Sequence, residues 1–411
     1  MAADMKVIII GSGVTGCSLA HGLAKQGIQY EIFDKRGPET PQRDWGVTVH
    51  WAVEFLELYP EETVKRIKTA RVVQRDDDTH QEFVRFYDGE TGETIRDIPL
   101  GPAKRFSHGR IRGLLAESLP IQYNKELIAI NELPEGVEAV FADGTKVQAS
   151  VLVGCDGSRS ATRKFLFEKK EDAEWSVMPG IILNNFWMQL EKEKAVALRE
   201  QLGNFMDIAI HSNGSYFGLI PLDFANDKPP EEWKFQIFMS MPEPADLVPG
   251  EDSSARRVKI VKHFGKTFVA PFSQATEWFA EDTFISPDHY GTWETKKWDH
   301  RGGKVILAGD SAHSMTPHRA QGFNHSLQDV LNIITGLKKI RAGESNWVDF
   351  VDGYVNEVVC RGSEEVRMSL KQGYAVHNWA NSKDLPILKV GTTPLHMEQS
   401  IVPLPAQTRA A

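Results

Sequence analysis

Val7-Ile8-Ile9-Ile10-Gly11-Ser12-Gly13-Val14-Thr15-Gly16 stands at the start of the chain, and its reading decides the fold. The apolar run predicts a short buried strand, the glycines at G-x-G-x-x-G spacing a turn, and Cys17 to Gln26 a helix. In a dinucleotide-binding βαβ unit each glycine has its own task. Gly11 permits the tight turn, Gly13 lets backbone amides approach a pyrophosphate, and Gly16 lets the helix pack closely on the strand. Val14 and Thr15 lie at the helix N-terminus, where free amides and the helix dipole favour an anion. Asp34 ends the next apolar run (Tyr30, Ile32, Phe33), at the distance where a carboxylate accepts hydrogen bonds from a ribose, with Lys35 beside it. The stretch predicts an adenine dinucleotide without saying which one.

Bulk composition narrows the classes. A chain of 411 residues exceeds the usual single core, so two or more structural domains are expected. Hydrophobic residues at 41% and charged residues at 25% fit a soluble globular protein, and a net charge of −9 speaks against nucleic acid as the partner. Cys17, Cys155 and Cys360 are odd in number and lack metal spacing, which fits free thiols in a reducing, cytoplasmic setting. The first strand begins too early to leave room for a signal peptide, and no apolar stretch approaches the roughly 20 residues of a membrane span. Monomer and homodimer are both compatible with these numbers.

Farther along, turn chemistry marks two hairpins. Phe83 to Tyr87 turns through Asp88-Gly89 into Glu93 to Ile98, and Val137 to Phe141 turns at Asp143-Gly144 into Lys146 to Val151. Ile111, Leu114, Leu115 and Leu119 share one helical stripe. From about Glu171 the pattern becomes aromatic strands separated by turns: Ile181 to Leu190, Met206 to His211, Tyr216 to Leu222 and Trp233 to Met241. Arg256 to Phe268 has helical character, Val305 to Leu307 is another buried strand, and a long helix carries Leu327, Val330, Leu331, Ile334 and Leu337. The reading is an α/β fold: a Rossmann-like nucleotide-binding domain with an inserted, mostly antiparallel β-sheet domain and a C-terminal helical segment. The expected partition is 1–74, 100–170 and 296–345 for the nucleotide domain, 75–99 and 171–295 for the sheet domain, and 346–411 for the helical segment and tail.

Two more segments end strands in Gly-Asp chemistry. One is Val151-Leu152-Val153-Gly154-Cys155-Asp156-Gly157, continuing to Arg159 and Arg163; the other is Val305-Ile306-Leu307-Ala308-Gly309-Asp310, followed by Pro317 and Gln321-Gly322-Phe323-Asn324. In this order, the three motifs resemble those of the group A flavoprotein monooxygenases, the p-hydroxybenzoate hydroxylase-like FAD enzymes. The resemblance runs from about Lys6 to Leu337 and includes Arg112 in Arg112-x-x-Leu115-x-x-x-Leu119 and Arg43 ahead of Trp45-Gly46-Val47. The last motif departs from the family at Ala320, where relatives carry glycine.

The resemblance implies an FAD-dependent monooxygenase that takes NAD(P)H as a transient co-substrate and O2 as the oxidant. Through a flavin C4a-hydroperoxide it would hydroxylate or epoxidise an aromatic or polycyclic, secondary-metabolite-like small molecule. It assigns FAD contacts to Gly11, Gly13, Val14, Thr15, Gly16, Asp34, Lys35, Arg43, Arg112, Asp156, Gly157, Gly309, Asp310, Gln321, Gly322, Phe323 and Asn324. Pro317 and Gly322 fall beside the reacting ring. His211 and Phe217 fall near positions that touch substrate in relatives, with His211 a candidate base. Backbone amides from Gln321 to Asn324 would stabilise negative charge on reduced flavin.

Plainer readings compete with some of these assignments. Asp156 could simply cap the next helix. His313, His318 and His325 invite a metal, but their spacing gives no common helical face and no metal is expected. Asp76-Asp77-Asp78 reads as a solvated turn. Of Phe186, Trp187, Tyr216, Phe217, Trp233, Phe235 and Phe238, about two are expected to face substrate and the rest to be core. The rival functions are an FAD dehydrogenase or reductase of the same superfamily and a non-catalytic flavin-binding protein. A flavin-dependent halogenase is disfavoured because its Trp-x-Trp-x-Ile-Pro segment is absent.

Overall fold

The structure, a computed structural model, describes residues 5–40, 43–72, 81–101, 103–203, 205–224, 228–247, 252–380 and 385–391. The Asp76-Asp77-Asp78 turn, Asn226-Asp227, Asn381 and the tail from residue 392 lie outside the described residues.

The apolar run after Met5 forms β1 (Lys6–Ile10). It lies between β2 (Gln29–Phe33) and β11 (Val151–Gly154), and the sheet is extended outward by β7 (Ile121–Gln122) and β17 (Val305–Leu307), with every pair parallel. Unbroken burial of Val7 to Ile10 and Val151 to Val153 explains why these strands read as continuous apolar runs. Helices α1 (Val14–Lys25), α3 (His108–Ala116) and α10 (Gly322–Ala342) pack together beside this sheet. An antiparallel sheet of β8 (Leu127–Leu133), β9 (Gly136–Phe141) and β10 (Lys146–Ala149) packs on it, with Phe141 against Phe33 at 4.5 Å between ring centroids. The Lys146 to Val151 arm divides at Ser150, whose amide donates to the Lys6 carbonyl, so Val151 joins the parallel sheet.

The second large sheet has seven strands in the order β16 (Asp288–Thr292), β12 (Ser176–Met188), β15 (Lys234–Pro242), β14 (Tyr216–Asp223), β13 (Met206–Ile210), β4 (Glu82–Asp88) and β5 (Thr94–Gly101). It is antiparallel apart from the β13–β4 pair. Alternation divides its side chains between two faces. Phe217, Leu219, Phe235, Ile237 and Met239 pack under α6 (Lys192–Gln201), α7 (Ser254–Gly265) and α8 (Phe272–Trp278). Tyr216, Ile208 and Ile220 belong to the other face, where they meet Val376 at the end of α11 (Trp347–Val376) and Leu385, Ile387 and Leu388 around α12 (Pro386–Val390). The two-stranded ribbon β3 (Gly46–Val49) with β6 (Lys104–Ser107) links the sheets. Short helices α2 (Glu61–Thr69), α4 (Ala161–Leu166), α5 (Lys170–Ala173) and α9 (Asp310–His313) occupy the connections. Among the described residues, no helix is long and apolar enough to cross a membrane.

Candidate cofactor and substrate site

The carboxyl ends of β1, β2, β11 and β17 share one edge of the parallel sheet, the edge at which such sheets open a ligand crevice. Gly11 leaves β1 with φ +101°, and a Cβ there would lie 2.4 Å from the Cys155 carbonyl oxygen. The first motif is thereby pressed onto the second. Gly309 has φ +66°, and its Cβ would meet Thr15 Oγ1 at 2.6 Å, which brings the third motif onto the first. Gly16 allows α1 to seat on the turn, since a Cβ would lie 2.0 Å from the Gly11 carbonyl oxygen. Gly13 differs: nothing lies within 4 Å of where its Cβ would be. On this open side the first intrahelical bond runs from Cys17 N–H to Gly13 C=O at 2.9 Å, and neither an acid nor a side-chain cap occupies the start of α1. The amides ahead of Cys17 therefore point at open space without helical acceptors.

Asp34 is buried at the end of β2. Its Oδ2 accepts from the Ser12 amide at 2.9 Å and the Ser12 hydroxyl at 2.7 Å, and its Oδ1 accepts from the Arg36 amide at 2.9 Å. Burial raises the pKa of this carboxyl, but the hydrogen bonds from Arg36 and Ser12 outweigh it and hold it at about 2. Arg112 Nε donates to the Ser12 carbonyl at 3.1 Å, which ties α3 to the glycine loop. Lys35 is exposed and makes no polar contact among the described residues, whereas Arg36 clamps the acid. Arg43 is exposed and pairs with Asp288 of β16.

Asp156 is tied to the turn ahead of α4, whose N-cap is Ser160. Its Oδ1 accepts from Ser160 Oγ at 2.5 Å and its Oδ2 from the Thr162 amide at 3.0 Å, so the side chain organises the start of α4. Gly157 follows at φ +79°. Arg163 is fully buried, donates to the carbonyls of Ala173 at 2.8 Å and Ser311 at 3.0 Å, and lies 4.6 Å from the Trp293 ring centroid. It binds the second motif to the third.

Asp310 behaves in the opposite way. Its carboxylate is accessible and has no hydrogen-bond partner among the described residues, yet desolvation raises its pKa. An acid that is both reachable and dehydrated lines a cleft. Asp310 Oδ1 lies 4.0 Å from the Cβ position of Gly322, the first residue of α10. There the first intrahelical bond is His325 N–H to Gln321 C=O at 3.1 Å, leaving the preceding amides, including those of Gly322, Phe323 and Asn324, without helical acceptors. The side chains nearby are already engaged. Gln321 Oε1 accepts from Trp51 Nε1 at 2.8 Å, and Asn324 bonds the His50 amide at 3.0 Å and the Thr48 carbonyl at 2.9 Å. At this end of α10 the backbone, not these side chains, is open to a ligand.

Pro317 is accessible and starts the turn leading into α10, while His318 beside it is buried against the seven-stranded sheet. Two aromatics from that sheet, Tyr216 and Tyr290, approach this turn: their ring centroids lie 5.5 Å and 4.5 Å from that of His318. The structure does not bring the other two expected substrate residues to this face. Phe217 is wholly buried among Phe268 and Phe272 on the helix-covered side, because adjacent strand residues point to opposite faces. His211 is buried at the β13–β14 turn, its Nδ1 accepting from the Asn213 amide at 3.1 Å and its Nε2–H donating to the Thr267 carbonyl at 3.0 Å. With both nitrogens engaged it has none left for a substrate hydroxyl.

The three neighbouring histidines separate just as sharply. His313 Nε2 donates to Asp329 at 2.7 Å, His325 Nδ1 accepts from Arg361 at 2.8 Å, and His318 has no polar partner among the described residues. Among those residues no group of three or more metal-ligating side chains forms. The sequence reading did not single out Ser12, Arg36 or Asp329, and it left open which two of the seven sheet aromatics would face substrate. Asp329 had a usable signal, an acid on the apolar stripe of a long helix; Tyr216 and Phe217 could not be told apart without the register of β14.

The crevice fits FAD by its own features: an open glycine loop at a helix start, a dehydrated accessible acid and a second open helix start. The sequence profile of the FAD binding domain family matches residues 4–236 and 273–366. The FAD-dependent monooxygenase phnB of Penicillium herquei is 30% identical over 95% of both chains, and cctM of Talaromyces islandicus is 28% identical over 94% of this chain and 96% of its own. The fold matches Klebsiella pneumoniae HpxO complexed with FAD and uric acid at a TM-score of 0.75, with 18% identity over 93% of this chain and 92% of that one. The fold of 2,6-dihydroxypyridine-3-hydroxylase from Arthrobacter nicotinovorans matches at 0.72, with 16% identity over 92% and 93%. The chain belongs to the FAD binding domain family and is an FAD-dependent group A flavoprotein monooxygenase.

Proposed function

We propose that the chain uses NAD(P)H and O2 to insert one oxygen atom into an aromatic or polycyclic small molecule held between the Pro317 turn and the seven-stranded sheet. The observation that carries this reading is the convergence, at one cleft, of the unpartnered Asp310 carboxylate, the open start of α10 and accessible Pro317. FAD, when bound, supplies the electron storage and the activation of O2. Amides at Gly13 to Gly16 would receive the diphosphate, Asp34 with Ser12 and Arg36 the adenosine ribose, and Asp310 the hydroxyls of the flavin's sugar chain. Arg112 holds the glycine loop in place through the Ser12 carbonyl. Asp156 with Gly157 shapes the turn that presses against the first motif, while Arg43 and Lys35 would line the outer rim. Amides of Gly322, Phe323 and Asn324 offer fixed partial positive charge to a ring that becomes anionic on reduction, at no reorganisation cost. The apolar sheet face excludes water from the reacting edge.

The test is direct. Protein reconstituted with FAD is screened against aromatic compounds for substrate-stimulated NAD(P)H oxidation, oxygen uptake and incorporation of labelled O2 into product. Label in the product supports the oxygenase. Substrate-dependent NAD(P)H oxidation with no label in any product would make the chain a reductase, and protein that refuses FAD would sink the reading altogether.

A further inference from the structure

In the β3–β6 ribbon Arg105 stands opposite Thr48, and successive side chains of β6 point to opposite faces. Phe106 enters the nucleotide domain, where it meets Phe55 at 6.4 Å between ring centroids. Arg105 enters the seven-stranded sheet and is 6% exposed. Its Nε donates to the Pro221 carbonyl of β14 at 3.3 Å and its Nη2 to Gln236 Oε1 of β15 at 3.0 Å. Its Nη1 donates to Thr48 Oγ1 at 3.0 Å and to Met206 Sδ of β13 at 3.3 Å. Gly46 makes room for the guanidinium, since a Cβ there would lie 1.9 Å from Nη2.

All of these acceptors are neutral. Arg257, Arg319 and Arg361 are also buried, and each of them holds a carboxylate. The carboxylate that acts on Arg105 is Asp44, but its oxygens accept from Ser107 Oγ at 2.8 Å and the Gly109 amide at 2.9 Å instead. Burial pulls the Arg105 pKa down to about 9, which leaves the group charged at neutral pH. A dehydrated cation is costly to bury. Held by dipoles without a contacting counter-ion, it keeps a field that reaches its surroundings.

Those surroundings include the start of α10. Thr48 receives Arg105 on its hydroxyl, and its carbonyl accepts from Asn324 Nδ2 at 2.9 Å. Asn324 is the third residue of α10, and its Oδ1 accepts from the His50 amide at 3.0 Å. Two hydrogen bonds therefore connect the guanidinium to the turn whose amides, at Gly322, Phe323 and Asn324, lack helical acceptors. On the other side Gln236 passes the connection to Asn185 of β12 through its Nε2 at 2.8 Å. One buried cation thus ties adjacent strands of the sheet to the helix start that faces Asp310.

We propose that Arg105 is a positioning residue for the cofactor end of α10, and that its charge adds to the α10 amides in stabilising reduced, anionic FAD. This rests on the reading above that places the flavin ring at that helix start. A fixed positive charge in a dry site favours the reduced anion over the neutral oxidised ring, and so raises the midpoint potential.

The experiment is an anaerobic redox titration of the FAD-loaded protein against reference dyes, with FAD content measured alongside. Arg105→Met should weaken binding of reduced relative to oxidised flavin by about tenfold, which lowers the two-electron midpoint by about 30 mV. Arg105→Lys keeps the charge but loses the fork, and should stay within about threefold of wild type. Gln236→Glu leaves Arg105 in place and sets a carboxylate against its Nη2, so the midpoint should fall as it does in Arg105→Met. That variant decides the matter where Arg105→Met fails to fold. An unchanged midpoint in Gln236→Glu, or in Arg105→Met that still holds FAD, overturns the proposal. So does a fall in Arg105→Lys as large as that in Arg105→Met. Midpoints that shift as expected in a protein that transfers no oxygen would overturn the oxygenase reading and leave this one standing; an oxygenase whose midpoint ignores these substitutions would do the reverse.

Discussion

Asp329 of α10 accepts a hydrogen bond from His313 Nε2 at 2.7 Å, and both side chains are completely buried. The same carboxylate accepts from the Gly309 amide at 2.7 Å and from Arg361 at 2.6 Å. Burial opposes ionisation of Asp329, but His313 and Arg361 outweigh it and keep the pKa below its ordinary value. One acid thus links the Gly-Asp loop, α10 and α11, the pieces that must keep their relative positions for Asp310 to face Gly322.

Asp329→Asn should therefore be costly at a distance from any ligand. It removes one of the two carboxylates that hold the buried Arg361 and leaves it Glu357 alone, and weakening such a buried cluster costs about 2–3 kcal/mol. Denaturant unfolding should show that loss. FAD retention should fall with it, because the Gly309 amide loses its fixed acceptor. A variant within about 0.5 kcal/mol of wild type would show that the network is dispensable.

Asp310 predicts the reverse pattern. Its carboxyl pKa is raised by desolvation and its oxygens have no protein partner among the described residues. A raised acid pKa means the charged form is disfavoured by folding, so its ionisation costs stability once the pH passes the unfolded value. Asp310→Asn should leave the apo protein as stable as wild type or more so at neutral pH, while weakening FAD binding by about tenfold or more. Thermal melting of apo protein, set beside FAD titration, reads the two effects separately. A large loss of apo stability would mean that Asp310 is structural.

These contrasts show what was legible in the chain and why. The glycine motifs could be read because their spacing is dictated by backbone geometry, as the φ of Gly11 and its approach to Cys155 confirm. Alternating strands and the α10 stripe were legible for the same reason: local periodicity reflects burial. The assignment of side chains to faces was not. Phe217 and Tyr216 are neighbours in sequence and lie on opposite sides of the sheet. Nor were the surroundings of His318, whose ring meets Tyr216 of β14, Tyr290 of β16 and Gly373 of α11 only in the fold.

Phe217 supplies a test of that face assignment. It is fully buried between Phe268 and Phe272, so Phe217→Ala opens a cavity and should destabilise the protein by about 3–5 kcal/mol. The milder Phe217→Leu should fold and bind substrate with unchanged affinity. A weakened substrate complex in a stably folded Phe217→Leu would return the residue to the pocket.

Ala320 stands where the family's pattern has glycine, and it adopts φ +55°, ψ +32° between the Pro317 turn and α10. A left-handed conformation costs a side-chain-bearing residue about 1 kcal/mol. Ala320→Gly removes that strain, and the greater freedom of glycine in the unfolded chain gives part of it back. The net expectation is a gain of about 0.5 kcal/mol in denaturant unfolding, with FAD binding retained. A destabilised variant would show that the alanine methyl makes a contact worth more than the strain.

The Asp34 cluster should be visible in acid. The folded carboxyl sits at about 2, below its ordinary 3.8, through Arg36 and Ser12 working against burial. An acid with a depressed folded pKa contributes stability that is fully present above the unfolded value and is lost as pH falls through the folded one. The window is therefore roughly pH 4 down to 2. The full shift corresponds to about 2 kcal/mol, and partial solvent screening near Arg36 reduces this to about 1–2 kcal/mol. Asp34→Asn should be less stable than wild type by that amount at pH 6, and the two unfolding curves should converge as the pH approaches 2. Curves that stay parallel down to the acid limit would mean that hydrogen-bond geometry at Ser12, and not the charge of Asp34, holds the glycine loop against β2.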